Sequence, residues 1–591
     1  MPPAAFPVIH GPAMRADSRG GGGTVTGGRP AVPVVSSLPA LWLLIVVLGV
    51  VGCAPRPSAG QGAVWFRDVA AARGVDIVND PGPAGSHFMP QSMGNGAALF
   101  DYDRDGRLDL LLLNGCGPQG ASLHRLLRQE ADGRFTDVTV GSGLDFTAFG
   151  SGVAVGDVDD DGFPDLCLTE YGGVRLLRND AGRRFRDVTA AAGLTGTGWG
   201  TSASFLDFDR DGRLDLVFAT YVVYDPARTC HAPDGRREFC GPKDFPGAPA
   251  ALWRNVGGAG QVRFADVSVA SGLGAAPGAG LGVLCTDFDG DGWDDIFVAN
   301  DQQPNRLWIN RHDGTFTDEA VIRGVAVDAL GRPAANMGVA WGDVDGDGLA
   351  DLFVTHLDLE THTLWQQGPP GTFLDRTAAA GVAAMRRGTG FGTVLADFDL
   401  DGDLDLTVVN GRVLGGPAAD AAGVPAFWRP YAQPNDLLAN DGSGRFTPVE
   451  ALAPDLCDRP NVARPLCAGD IDDDGDIDLL VGVTAGRPLL LENVAPRAGH
   501  WLSVRAVLRA GGREAIGAVV TVAGGGRRWQ RVVQPGASYL SSHDPRCHFG
   551  VGAVETIDAI EVRWPDGRCE RFAGGAVDRR IEIVQGSGEG L

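Results

Sequence analysis

Seven short runs of aspartate carry the only chemistry that recurs along this chain. Each follows D-x-D-x-D-G-x-x-D. The carboxylates are Asp101, Asp103, Asp105 and Asp109 in the first run and Asp157, Asp159, Asp161 and Asp165 in the second. Asp207, Asp209, Asp211 and Asp215 form the third, and Asp287, Asp289, Asp291 and Asp295 the fourth. Asp343, Asp345, Asp347 and Asp351, then Asp397, Asp399, Asp401 and Asp405, then Asp470, Asp472, Asp474 and Asp478 complete the series. The first, third and fifth residues of such a run put hard oxygens on one side of a tight turn, and glycine in sixth place allows the backbone to reverse. The seventh residue varies freely (Arg107, Phe163, Trp293) and offers its carbonyl, while the ninth closes the cage with a carboxylate read as bidentate. An acidic, oxygen-only cage suits Ca²⁺ and not Zn²⁺, which prefers Cys and His. Without a cation, four carboxylates within a few ångströms repel one another. The expectation is up to seven structural calcium ions. With free calcium one hundredfold above the dissociation constant, each adds about 2.7 kcal/mol.

The same aspartate spacing also opens calcium loops that run into helices. Here the flanks are strands: GVAVG, GVLCT and GVAWG before the loops, and LDLLLLN, LDLVFATY and DDIFVAN after them. All are short β-branched or apolar runs bounded by turn residues, without helical periodicity. A second element, Phe-x-Asp, precedes each loop at Phe66, Phe135, Phe185, Phe264, Phe316 and Phe373, and in degraded form at Phe446. A third, Leu-x-x-Asn, ends at Asn179, Asn255, Asn310 and Asn440. Four strands in roughly fifty residues make one propeller blade, with the Asp loop joining its first two strands. The fold class is therefore all-β, a seven-bladed β-propeller followed by a small C-terminal β domain. Because a Phe-x-Asp strand stands before the first loop and none follows the last, the strand at Trp65–Val69 should complete the seventh blade and close the ring, removing open edges.

These repeats resemble the FG-GAP or VCBS repeats of the integrin α-subunit propeller, over about Ala63 to Asn493. The resemblance implies calcium as a structural ion on one face of the disc, with ligands or partner proteins on the other. From Gly499 the Asp loops stop. His500–Arg505, Ile516–Val522, Trp529–Val533 and Ile560–Trp564 alternate as strands around Gly536–Pro545 and the turn at Trp564–Gly567. In this order they resemble the ASPIC/UnbV domain, and the whole architecture resembles a family of calcium-binding, extracytoplasmic proteins. The expected organisation is residues 1–53 a signal peptide with lipobox, 54–62 a linker, 63–497 the propeller and 498–588 the ASPIC/UnbV domain.

Arg15, Arg19 and Arg29 precede an apolar run from Leu38 to Val51 that ends in Val50-Val51-Gly52-Cys53. Small residues directly before a cysteine resemble a bacterial lipobox, which would make Cys53 the acylated first residue of an exported, envelope-anchored protein. Ala54 in place of Asp points to the outer membrane by the family rule. The run is too short to be read as a span. The chain has 591 residues, 88 of them glycine and 37 proline, and a formal net charge of -24. That size needs more than one folded unit, and with no compensating basic stripe nucleic acid is not an expected partner.

The function expected is an exported calcium-binding scaffold for a protein or glycan ligand, and not an enzyme. Two alternatives stand beside it: a calcium-dependent polysaccharide lyase or other propeller hydrolase, and a purely structural envelope protein. Ser541, Ser542, His543 and Asp544 have triad residue types, but neighbours in sequence rarely meet in triad geometry. His356 and His362 are read as packed histidines before metal ligands. Intervals between loop starts are 56, 50, 80, 56, 54 and 73 residues, so two repeats carry insertions. They fall between second and third strands, on the face away from the Asp loops, and stand about 150° apart around the ring. One, Tyr221–Ala250, holds Cys230 and Cys240, a disulfide candidate in an exported protein. The other, Gly411–Asn435, holds Phe427, Trp428 and Tyr431, read as exposed aromatics that bind a partner. Cys167, Cys285 and Cys467 are read as buried thiols. Cys547 and Cys569 are a second candidate pair.

Overall fold

The computed structural model describes residues 63–117, 120, 122–196, 198–258 and 260–591. The segments expected as signal peptide and linker, with Cys53, lie outside these residues. Each Asp run forms a hairpin loop between the first and second strands of a four-stranded antiparallel sheet. Blade 1 is Ala97–Phe100, Asp109–Leu112, Arg125–Gln129 and Phe135–Asp137. The other blades repeat this order, and the fourth strand is the Phe-x-Asp segment: Phe185–Asp187, Phe264–Asp266, Phe316–Asp318, Phe373–Asp375 and Phe446–Pro448 in blades 2 to 6. The second strand of each blade is almost wholly buried, as the continuous apolar runs require.

Blade 7 is built from both ends of the propeller sequence. Ala463–Gly469, Asp478–Val483 and Leu489–Asn493 receive Phe66–Asp68 as their fourth strand, in the register Phe66↔Asn493 and Asp68↔Leu491. The ring thus closes where the offset of the repeats requires it. Phe66 is fully buried and stands edge-on to Phe398, ring centres 5.2 Å apart. The Leu-x-x-Asn element owes its asparagine to blade stitching. Asn179 Nδ2 donates to Tyr102 O, Asn310 to Phe208 O and Asn493 to Phe398 O, each at 2.8–2.9 Å and each reaching the loop of a neighbouring blade.

The C-terminal domain is two sheets. One holds His500–Val507, Cys547–Gly552 and Arg579–Val584, and the other Val519–Gly524, Arg527–Val532, Thr556–Arg563, Cys569–Ala576 and Glu589–Gly590. Leu502, Val504 and Phe549 from the first sheet meet Val520, Val522 and Ile560 from the second in one core. Cys547 and Cys569, the second candidate pair, lie in different sheets and are free thiols. Cys167, Cys285, Cys457 and Cys467 are free and buried.

Candidate functional site

In every Asp loop the sixth-place glycine has φ between 86° and 98°, in the left-handed region. The first carboxylate folds back over the turn. Asp101 Oδ1 accepts the N–H of Asp105 and Oδ2 that of Gly106, at 3.0 and 2.9 Å. The fifth, Asp105, accepts the N–H of Arg107 at 3.0 Å. The ninth is deepest and binds backbone through both oxygens: Asp109 accepts Tyr102 N–H from its own loop and Gln129 N–H from the third strand. Asp165, Asp215, Asp295, Asp351, Asp405 and Asp478 repeat this pair of bonds. The ninth aspartate therefore also pins loop to blade, which its spacing alone did not reveal. Each of its oxygens keeps a second lone pair for another partner.

The third aspartate is different. Asp103 Oδ1, Asp159 Oδ1 and Asp472 Oδ1 are buried and accept no hydrogen bond. One oxygen from each of the first, third and ninth residues comes together within 4.8 Å in the first three loops, and from Asp287, Asp289 and Asp291 in the fourth. Burial, joined by neighbouring carboxylates, pushes the carboxyls up: Asp157 and Asp207 to about 7, Asp109, Asp351 and Asp397 to about 8. A converging set of dehydrated carboxylate oxygens, some without any donor, fits a hard divalent cation.

The C-terminal domain covers the face of the disc that bears these loops. Arg104 pairs with Glu514 at 2.6 Å, and Asp160 with Arg513 at 2.6 Å. Arg513 also donates to Gly212 O, Arg563 pairs with Asp287 at 2.9 Å, Trp529 Nε1 donates to Gly402 O, and Arg580 pairs with Asp470 at 2.8 Å. Arg104 and Asp160 hold the fourth place of their loops, with φ of 60° and 58°. The fourth place is one of four that vary in the motif, and its side chains here reach outside the loop.

From this cap the segment Gln534–His543 enters the central channel and bonds to all seven innermost strands or their ends. Ser541 and Ser542 pair in parallel with Ala97 and Ala98 of blade 1. Ser542 Oγ donates to Val153 O, Leu540 N–H to Ser202 Oγ, and Gln534 Nε2 to Cys285 O. Ser538 exchanges backbone bonds with Val339 and accepts Thr393 N–H, while Ala468 N–H donates to His543 Nδ1. The strands crowd here. A Cβ on Gly96 would collide with Leu540 O of the plug, and one on Gly338 with Phe391 O of the next blade. Tyr539 donates to Met93 O at 3.0 Å, meeting the short helix Met89–Met93 that enters from the far end. Beside it Arg464, fully buried, spends its guanidinium on the carbonyls of Ser92, Gly411 and Arg412, 3.8 Å from the Phe391 ring centre.

The C-terminal segment matches the family described as ASPIC and UnbV at residues 509–590, and the FG-GAP-like repeat family matches at residues 101–168, 157–218 and 287–354. The chain contains FG-GAP-like repeats and an ASPIC and UnbV domain. It is 27% identical to human cartilage acidic protein 1 over 332 residues, 55% of this chain and 47% of that protein. It is 28% identical to the Xenopus tropicalis protein of the same name over 340 residues, 55% of this chain and 48% of that one. The chain thus spans about half the length of the curated relatives it matches. Among solved structures it is similar to an Agrocybe aegerita lectin that recognises non-reducing terminal N-acetylglucosamine (TM-score 0.38, 15% identity, 71% of this chain and 94% of that one). It is also similar to PorZ, a surface component of the Porphyromonas gingivalis type-IX secretion system (TM-score 0.35, 13% identity, 82% and 59%). At these scores the structural likenesses carry no argument.

Within the ASPIC and UnbV domain, Ser541, Ser542 and His543 belong to the plug described above, and Asp544 pairs with Arg546 at 2.7 Å. The hydroxyl of Ser541 donates to Tyr539 O and that of Ser542 to Val153 O, so neither is paired with the imidazole. His356 and His362 are buried and packed: His362 Nδ1 accepts His356 N–H, and His356 Nε2 bonds Thr363 Oγ1.

The two insertions of the FG-GAP-like region meet one expectation and overturn another. Cys230 and Cys240 are joined in a disulfide, Cα atoms 5.1 Å apart. Phe427, Trp428 and Tyr431, however, are not a set of exposed aromatics. Trp428 and Tyr431 are 3% and 4% exposed, and Phe427 is half-buried. Trp428 stacks on Phe239 of the opposite insertion, ring centres 5.9 Å apart, and the Tyr431 hydroxyl donates to Glu238 at 2.6 Å. Glu238 also accepts Gly415 N–H at 2.9 Å. The insertions grip each other. Apolar rings that face one another over a narrow mouth gain more by mutual burial than by exposure. Beside Phe427, further half-buried aromatics of this face are Phe88, Phe149, Tyr171 and Tyr224, with neighbouring ring centres 4.9–5.8 Å apart. Sequence reasoning missed them because each lies singly in a different connection.

Proposed function

We propose that this chain is an exported, calcium-loaded interaction scaffold and not an enzyme. The observation that carries the reading is the ring of carboxylate cages, with oxygens such as Asp103 Oδ1 that are buried without a donor. Calcium held by the first, third, fifth and ninth aspartates of each loop would neutralise the cage and fix the hairpin. Millimolar calcium outside the cytoplasm suits sites of modest affinity, which agrees with export and with anchoring through Cys53. The channel is filled by side chains from both ends, so the disc serves as a rigid platform. The surface for a protein or glycan ligand is the face away from calcium, where the rings of Phe88, Phe149, Tyr171 and Tyr224 are half-buried. Amphipathic rings on a rigid frame are suited to such contacts. Against catalysis stands the use of Ser541, Ser542 and His543 as plug contacts.

Two measurements test the reading. Thermal melts of the purified full chain with calcium and with chelator should differ by many degrees, and coincident melts would refute calcium as a folding cofactor. Immobilised chain should capture a protein or glycan in calcium that a Tyr171→Ala, Tyr224→Ala double variant fails to capture. Equal capture by the variant would move the ligand surface elsewhere.

A further inference from the structure

A cavity of about 470 Å³ lies between the propeller and the ASPIC and UnbV domain, at the calcium-loop end of the channel. It falls within the usual range of small-molecule sites. The propeller wall sets Leu284, Val339, Trp341 and Val394 of blades 4, 5 and 6 beside the first-place carboxylates Asp287, Asp343 and Asp397. The facing wall comes from the C-terminal domain and includes Arg531, Gln534 and His543.

Arg531 sets this cavity apart. The other two arginines lining it are neutralised, Arg546 by Asp544 at 2.7 Å and Arg563 by Asp287 at 2.9 Å. Arg531 forms no ion pair among the described residues. Its hydrogen bond is to the carbonyl of its own neighbour Gln530, and its guanidinium stands 5.5 Å from the Phe549 ring centre. The carboxylates that act on it from a distance are Asp397 and Asp343. Both are first residues of Asp loops, and once those loops hold calcium, as proposed above, the guanidinium loses its compensation. His543 adds a donor: its Nδ1 accepts Ala468 N–H, so its Nε2 carries the proton.

The cavity also has an entrance. Six loops are bonded to the C-terminal domain by the contacts given above. Loop 5, Asp343–Asp351, makes no hydrogen bond or ion pair to that domain among the described residues. The cavity reaches the surface at this gap, where Gly290, Gly348 and Pro370 line it and are exposed.

We propose that this interdomain cavity binds a small organic anion, with its carboxylate on Arg531 and its apolar body against Val339 and Trp341. A charge-assisted bond to the guanidinium favours the anion over a neutral isostere, and the apolar side chains of the wall favour it over an inorganic anion.

The test is calorimetric titration of the purified full chain, in calcium, with benzoate, benzyl alcohol and inorganic phosphate. Benzoate should bind about tenfold or more tightly than either control. Arg531→Met should abolish that preference, and Leu349→Trp, at the mouth, should weaken benzoate several-fold in a chain that keeps its fold. Benzoate bound no better than both controls, or bound equally by the Arg531→Met chain and by the Leu349→Trp chain, overturns the proposal. Melts with and without chelator on the same samples report calcium loading separately. Failure of the calcium reading is thereby told apart from failure of the anion site.

Discussion

The side-chain amide of Gln129 donates to the backbone carbonyl of Ile471 at 2.8 Å, joining blade 1 to the loop of blade 7. Gln129 occupies the place that asparagine holds at the end of the third strand in blades 2, 3, 4, 6 and 7. With the strand Phe66–Asp68 it closes the ring twice, once through side chain and once through backbone. Gln129→Leu would leave a buried carbonyl without its donor, at a cost of about 1–3 kcal/mol. Denaturant midpoints of the two chains measure it.

Phe66→Ala removes a fully buried ring from the closing strand. The expected loss is about 3–5 kcal/mol, seen as a lower melting temperature in calcium. An unchanged melt would show that the first strand is dispensable.

Stability without calcium should depend on pH in an unusual direction. Asp157 and Asp207, at about 7, and Asp109, Asp351 and Asp397, at about 8, lie far above the value of about 4 for an unfolded aspartate. The folded chain therefore binds more protons than the unfolded one, so its stability falls as pH rises from about 4 to about 8. Melts in chelator should drop across this window, and melts in calcium should not follow them.

Tyr539→Ala empties the middle of the plug, where the ring is fully buried and its hydroxyl holds Met93 O. It should cost about 3–5 kcal/mol. Because one segment contacts all seven blades, propeller and C-terminal domain should then still melt in a single transition, at lower temperature. Two separated transitions would show that the plug does not couple them.

Trp428→Ala and Tyr431→Phe should lower stability through the contact between insertions, since both residues are buried there. Tyr171→Ala and Tyr224→Ala, on half-exposed rings, should weaken partner capture with little change in melting temperature. Calorimetric melts beside capture assays separate the two groups.

The sequence by itself determined the blade, the number of blades and the place where the ring closes. Those features rest on local physics: alternation along strands, a glycine that alone tolerates φ near 90° at Gly106 or Gly475, and a period that repeats. The Asp cages were legible for the same reason, since their oxygens lie within nine residues. The tertiary structure alone decided what the repeats do not share. It brought Trp428 onto Phe239, buried rings expected to be exposed, threaded Gln534–His543 through the channel, and left Arg531 unpaired beside loop 5. These contacts join residues far apart in the chain. They arise from complementary burial and charge between surfaces that exist only after the ring has closed, so no spacing in the sequence records them.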